Sequence, residues 1–182
     1  MVLYSRAWNG LPKPARRDPI HHRSFRRIVA AHDSRSRTAI FGPDDKRPVI
    51  LFDGVCVLCN GAVDFVLDLE RWTNQREGAV RFAALQSQVG RKLLTDCGRD
   101  EDDISTIVLV EEQKHYIKSD AVLRIAQLLG EPLRVLGTIG LVFPRPLRDV
   151  VYDLVANNRY HLLGRRQTCR MKDDKYTDRF LL

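Results

Sequence analysis

Between Val49 and Trp72 the chain runs from four apolar residues through a turn into an amphipathic stretch. Val49-Ile50-Leu51-Phe52, closed by Asp53-Gly54, reads as a buried strand. Leu58, Ala62, Phe65, Val66 and Leu69 then recur at helical spacing and predict a helix over Val57–Trp72. Cys56 and Cys59 fall at the junction, with Cys56 near the first free backbone N–H groups of that helix. Those N–H groups and the helix dipole favour an anion, and the thiolate is the reactive form of cysteine. The pair is therefore a candidate redox site, with a structural pair and a metal site as the alternatives. A zinc site would want a second Cys-x-x-Cys or a His pair at ligand spacing, which the chain lacks.

The rest of the chain alternates in the same way. Val80, Phe82 and Ala84 alternate with Arg81 and Ala83 as a short second strand, and Gln86 to Cys97 follows as a helix ended by Gly98. Ile104–Val110 and His115–Ile117, joined by a short polar turn, predict an antiparallel hairpin. Ser119 is placed to cap a helix over Asp120–Leu129, closed by Gly130. A largely apolar helix, Pro132–Phe143, comes next, and Leu147, Val150, Val151, Leu154 and Val155 mark one face of another. The order β-α-β-α-β-β-α, with further C-terminal helices, predicts an α/β fold with a mixed sheet of thioredoxin/glutaredoxin type. In such a fold the Cys-x-x-Cys stands where the first strand meets the first helix, in agreement with the motif.

Of 182 residues, 44% are hydrophobic, enough for a core without disulfide staples. No apolar run approaches the ~20 residues of a membrane span. The net charge of +7 lies at one end: residues 1–47 hold eleven Lys/Arg against four acids, and the remainder is neutral. The charge thus belongs to an extension, and no basic stripe interleaved with aromatics points to nucleic acid. The extension is rich in Arg, Ser, Pro and His, and poor in acids before Asp44-Asp45. It suits an organellar transit peptide, for mitochondrion or plastid, or a disordered tail on a cytoplasmic protein. Residues 48–182 then form the folded domain, and the oligomeric state is left open.

Four cysteines without a secretory signal argue against a disulfide framework. Cys97 reads as a packed thiol, whereas arginines around Cys169 make a third redox thiol conceivable. Arg145, Arg148, Arg159, Arg165 and Arg166 read as a solvated face and tail, or alternatively as a site for an anion such as glutathione. Trp72 and Tyr152 read as packing residues.

Asp53-Gly54-Val55-Cys56-Val57-Leu58-Cys59-Asn60 also resembles the signature of the DCC family of thiol-disulfide oxidoreductases. The match continues through Arg81–Ser87, Tyr116–Ala121, Pro144–Asp149, Tyr152 and Asn158-Arg159-Tyr160. The resemblance implies a thioredoxin-like fold and redox activity, with Asp53, Cys56 and Cys59 as the residues that name the family. No proline precedes the third strand, where thioredoxins carry one; Ile104-Ser105-Thr106 stands there instead.

These residues predict dithiol–disulfide exchange with protein thiols or disulfides, or with a small thiol. No cofactor beyond the pair itself and no metal is expected. In this reading Cys56 attacks as the thiolate and Cys59, the less exposed sulfur, resolves the mixed disulfide. Asp53 either caps the turn through backbone N–H groups or serves Cys59 as a base. The alternative function is a non-enzymatic adaptor that keeps the fold and binds a protein partner.

Overall fold

The computed structural model describes residues 40–73, 78–170 and 172–182. Residues 1–39, on which most of the expected targeting extension falls, lie outside the described residues. The first elements are β1 (Val49–Phe52), α1 (Val57–Trp72), β2 (Arg81–Ala84) and α2 (Gln88–Asp96). They are followed by the hairpin β3 (Val108–Val110) and β4 (His115–Ile117), then α3 (Lys118–Leu128), α4 (Leu133–Gly140) and α5 (Arg145–Leu163). A short strand β5 (Phe180–Leu181) ends the series. The sheet order is β4-β3-β1-β2-β5. β1 runs parallel to β2 and antiparallel to β3, and β5 joins β2 in parallel. This is the thioredoxin-like α/β arrangement, extended by one strand and two helices.

β1 is buried on both faces, which explains its unbroken apolar run. Ile50 and Phe52 point to one core with Val63, Val66, Leu67 and Ile125 from α1 and α3. Val49 and Leu51 point to the other, with Leu93 and Leu94 of α2. Gly90 lets α2 approach β2 closely, since a Cβ there would stand 2.0 Å from the Ala84 carbonyl oxygen. α1 has the bounds its periodicity predicts. Trp72 at its end is 89% exposed and does not pack.

Besides β3, which pairs only over Val108–Val110 and not from Ile104 because Arg159 and Tyr152 bind the residues before it, three places depart from expectation. Arg81, at an alternate position on β2, is buried because residues 40–47 cover it. Its guanidinium donates to the carbonyls of Ile40 and Arg47, stands 3.4 Å from Asp45 and lies over the buried Phe41 ring. Ser119 does not cap α3. The chain enters that helix through Lys118 at φ 52°, so Ser119 falls inside the first turn. Its hydroxyl and backbone N–H turn to Asp149 of α5 instead, and those bonds hold the Asp149 carboxyl below its usual range. The same latch joins Asp120 to Arg148 at 2.8 Å and Lys118 to Asp153 at 2.7 Å.

The third departure is at the C-terminus, beyond the last element the sequence predicts. Arg179 is buried, 2.7 Å from the buried Glu70 of α1, and donates to the Val80 carbonyl. Glu70 also accepts the Ala79 N–H at 2.7 Å. This network seats β5 beside β2, where Phe180 closes an aromatic cluster with Phe52 and Phe82.

Candidate active site

The turn from β1 into α1 is held by two polar side chains, Asn60 buried and Gln86 half-buried. Asn60 donates from its amide to the carbonyls of Gly54 and Cys56, at 2.9 and 2.7 Å. Gln86, just beyond β2, accepts the Gly54 N–H and donates to Asp53. The absence of a side chain at Gly54 matters here: a Cβ would come within 2.4 Å of Cys169 Sγ and 3.0 Å of the Arg170 carbonyl oxygen.

Cys56 is the N-cap of α1. Its sulfur accepts the Cys59 backbone N–H at 3.2 Å and the Cys59 thiol at 2.7 Å. Negative charge on Cys56 would thus be met by the helix N-terminus and a donated proton. The Cys59 thiol is pushed up, first by burial, then by the hydrogen bond and charge of Cys56, with Asp53 adding to it and Arg159 opposing. The geometry divides the pair into an acceptor, Cys56, and a protonated donor, Cys59.

Exposure runs opposite to the sequence expectation. Cys56 is fully buried and Cys59 only partly so. The cover comes from the segment after α5, which crosses the motif as an antiparallel bridge between Cys56 and Arg165. Val57 N–H donates to the Gly164 carbonyl and Arg166 N–H to that of Val55. Further on, Arg170 N–H donates to the Gly54 carbonyl, and the Cys169 thiol faces Gln86 at 3.5 Å. Cys169 thus lies against the motif turn, although burial raises its pKa rather than activating it. Cys97 caps the end of α2 against the second core, as a packed thiol would.

Asp53 is 3% exposed and saturated with donors. One oxygen accepts the Val55 N–H at 3.1 Å, the turn cap expected of Asp before Gly, and the Gln86 amide at 2.8 Å. The other accepts the Tyr160 hydroxyl and Arg159 at 3.3 Å. The arginine cluster is therefore split. Arg159 and Arg148 are paired and largely buried, while Arg165 and Arg166 are exposed, with Arg165 stacked 3.7 Å over the Tyr160 ring centroid. Arg159 also donates to the Ile104 carbonyl, and Tyr152 accepts the Ile107 N–H at 2.9 Å. Two residues of α5 thereby hold the 104–107 loop beside the cysteines. Sequence reasoning did not assign Tyr160, Gln86 or Asn60 a role, although all three lie in segments that carry the resemblance.

A cavity of about 400 Å³ opens next to the pair, bounded by Cys59 and Asp53, the 104–107 loop and side chains of α1, α3 and α5.

Comparison with known proteins agrees with this architecture. Residues 50–165 match the family described as DCC1-like thiol-disulfide oxidoreductase. The chain is 48% identical over 134 residues to a chloroplastic DCC family protein of Arabidopsis thaliana, covering 74% of this chain and 75% of the relative. It is 36% identical over 133 residues to the uncharacterized protein YuxK of Bacillus subtilis, covering 73% and 93%. No solved structure matches it. The family match spans the strand, the cysteine turn and the arginine and tyrosine that hold Asp53, and the chain belongs to the DCC1-like thiol-disulfide oxidoreductase family.

Proposed function

We propose that the protein exchanges dithiols and disulfides through Cys56 and Cys59, with Cys59 as the sulfur that partners meet. The observation that carries this reading is the division of labour within the pair. Cys56 has the groups that stabilise a thiolate, and Cys59 has the access. In the oxidised protein a partner thiolate attacks Cys59 Sγ, the Cys56–Cys59 bond breaks, and Cys56 leaves as a thiolate beside the Cys59 N–H. A second partner thiol, as thiolate, attacks the partner's sulfur in the mixed disulfide. Cys59 departs and takes up a proton, and the partner leaves as a disulfide. Run backwards, Cys59 attacks a partner disulfide after losing its proton, and Cys56 resolves the product. This order reverses the one expected from sequence, because the 164–166 segment covers the sulfur nearest the helix N-terminus.

The test is turnover of a peptide disulfide against glutathione. Catalysis with the pair cycling supports exchange. A dithiol that never cycles returns the reading to an adaptor that binds a partner through the same surface.

Asp53 acts in this reading as a positioning residue that ties β1 to α5 and to Gln86, rather than as the base. Asp53→Asn keeps an acceptor for Val55 N–H but removes a negative charge that raises the Cys59 pKa. The reactivity of Cys59 should therefore shift to lower pH, while exchange at neutral pH stays within about threefold and stability falls by about 1–3 kcal/mol. A large loss of exchange near neutral pH, without that shift, would favour the base.

We place the protein in the plastid. The basic, acid-poor extension and the relative described as chloroplastic support this. Import of the full chain into isolated plastids, with shortening at the N-terminus, is the check. Among the described residues no helix is long and apolar enough to cross a membrane.

A further inference from the structure

The cavity beside Cys59 has a chemical character that exchange with a soluble thiol does not require. Its polar boundary is confined to one end, where Cys59, Asp53, Arg159 and the 104–107 loop meet. From there it runs inward to Ile50 and Phe82 of the central strands and to Leu129 and Leu133 beyond α3. Phe82 is fully buried and Ile50 is 3% exposed, so the far wall is the hydrophobic core. Around the mouth, Phe65, Val122 and Val155 are exposed apolar side chains on three different helices.

A folded protein surface cannot reach the central strands, and a small polar thiol such as glutathione would leave the apolar walls uncovered. At about 400 Å³ the space falls in the ~300–1,000 Å³ range of small-molecule sites. Arg159 does not offer a free cationic anchor, because its charge is paired with Asp53 at 3.3 Å and its terminal nitrogens already donate to Tyr160 and to the Ile104 and Ala156 carbonyls.

We infer that the cavity binds a small molecule with an alkyl or prenyl chain, seated between the sheet and α1, α3 and α5 with its head at Cys59. The site is a property of the fold, and only the nature of the head, a thiol or disulfide, rests on the exchange reading. Apolar walls reward each buried methylene, and the one sulfur at the mouth selects where the head must stand.

The experiment compares methyl and decyl methanethiosulfonate on the full chain carrying Cys56→Ser, in which a mixed disulfide on Cys59 cannot be resolved. Adducts are mapped by mass spectrometry, and each rate is divided by that of the same reagent with free glutathione. Burial of as few as two methylenes supplies about a tenfold advantage, so the decyl reagent should modify Cys59 at least tenfold faster on this scale. Val66→Trp on α1 and Ala156→Phe on α5 each fill the cavity from a different wall, and each should abolish the advantage while leaving the methyl rate within about twofold.

Equal normalised rates would overturn the proposal. So would an advantage that survives both fillings, which would assign it to the apolar surface outside. The exchange reading has its own readout: with both cysteines present, alkylthiol should be released as the Cys56–Cys59 bridge forms. Chain-length selectivity without that release would sustain the cavity and sink the exchange.

Discussion

Replacing Cys56 with Ser should stall the protein as a mixed disulfide on Cys59, and replacing Cys59 should leave it almost unreactive. In the first variant the partly exposed sulfur still meets the partner but no thiolate follows to release it. In the second, the remaining sulfur is fully buried beneath the 164–166 segment. Either change should cost more than about a hundredfold in turnover, as loss of a covalent participant does. The two differ in what accumulates. Mass mapping of protein quenched with acid during turnover of a peptide disulfide should find the peptide on Cys59 in the Cys56→Ser chain. A trapped adduct on Cys56 in the Cys59→Ser chain, formed as fast, would restore the order expected from sequence and require the covering segment to open freely.

Arg179→Met should be the most damaging single change outside the cysteines. The substitution keeps much of the apolar stem but strands the Glu70 carboxylate, which is 2% exposed. Breaking one side of a buried pair costs about 3–5 kcal/mol, against about 5–15 kcal/mol for a whole domain. Urea unfolding followed by circular dichroism should show the unfolding free energy falling by that amount, through a lower midpoint with little change in slope. Exchanging both partners, Glu70→Gln with Arg179→Met, should recover part of the loss, because no charge is then left buried. A loss below about 1 kcal/mol in the single variant would mean that the carboxylate finds water and that β5 is dispensable.

The elements legible in the sequence were those whose signals are local. β1 and α1 carry an unbroken apolar run, an Asp-Gly stop and a clear helical period, and the structure places them where that pattern does. Gly98 and Gly130, both at positive φ, end α2 and α3 for the reason their positions suggest. What stayed hidden depends on partners far along the chain. Ile104 to Ile107 looks like the start of β3, yet only Val108–Val110 pairs, because Arg159 and Tyr152 hold the preceding residues as a loop over the cavity. β5 is two residues at the end of a charged stretch of no net sign, and the pair that seats it, Glu70 with Arg179, spans 109 positions.

The site was legible to the same degree. The two cysteines and the helix N-terminus follow from spacing alone, and so does the bond from Asp53 to the Val55 N–H. The reversed exposure does not, since it is imposed by Gly164–Arg166, far downstream in the chain. Nor does the cavity, whose walls come from four helices, the 104–107 loop and the sheet. Local pattern identified which atoms could react, and tertiary packing decides which of them a partner can touch.

The most direct test of the account is an equilibrium redox titration of the full chain, quenched by alkylation and mapped cysteine by cysteine. The account predicts one reversible two-electron transition confined to Cys56 and Cys59, at a potential within the range of about −120 to −270 mV spanned by thiol-exchange proteins. Cys97 and Cys169 should remain alkylatable throughout. Thiols at 56 and 59 that never bridge across that range, or a transition that needs Cys169, would contradict it.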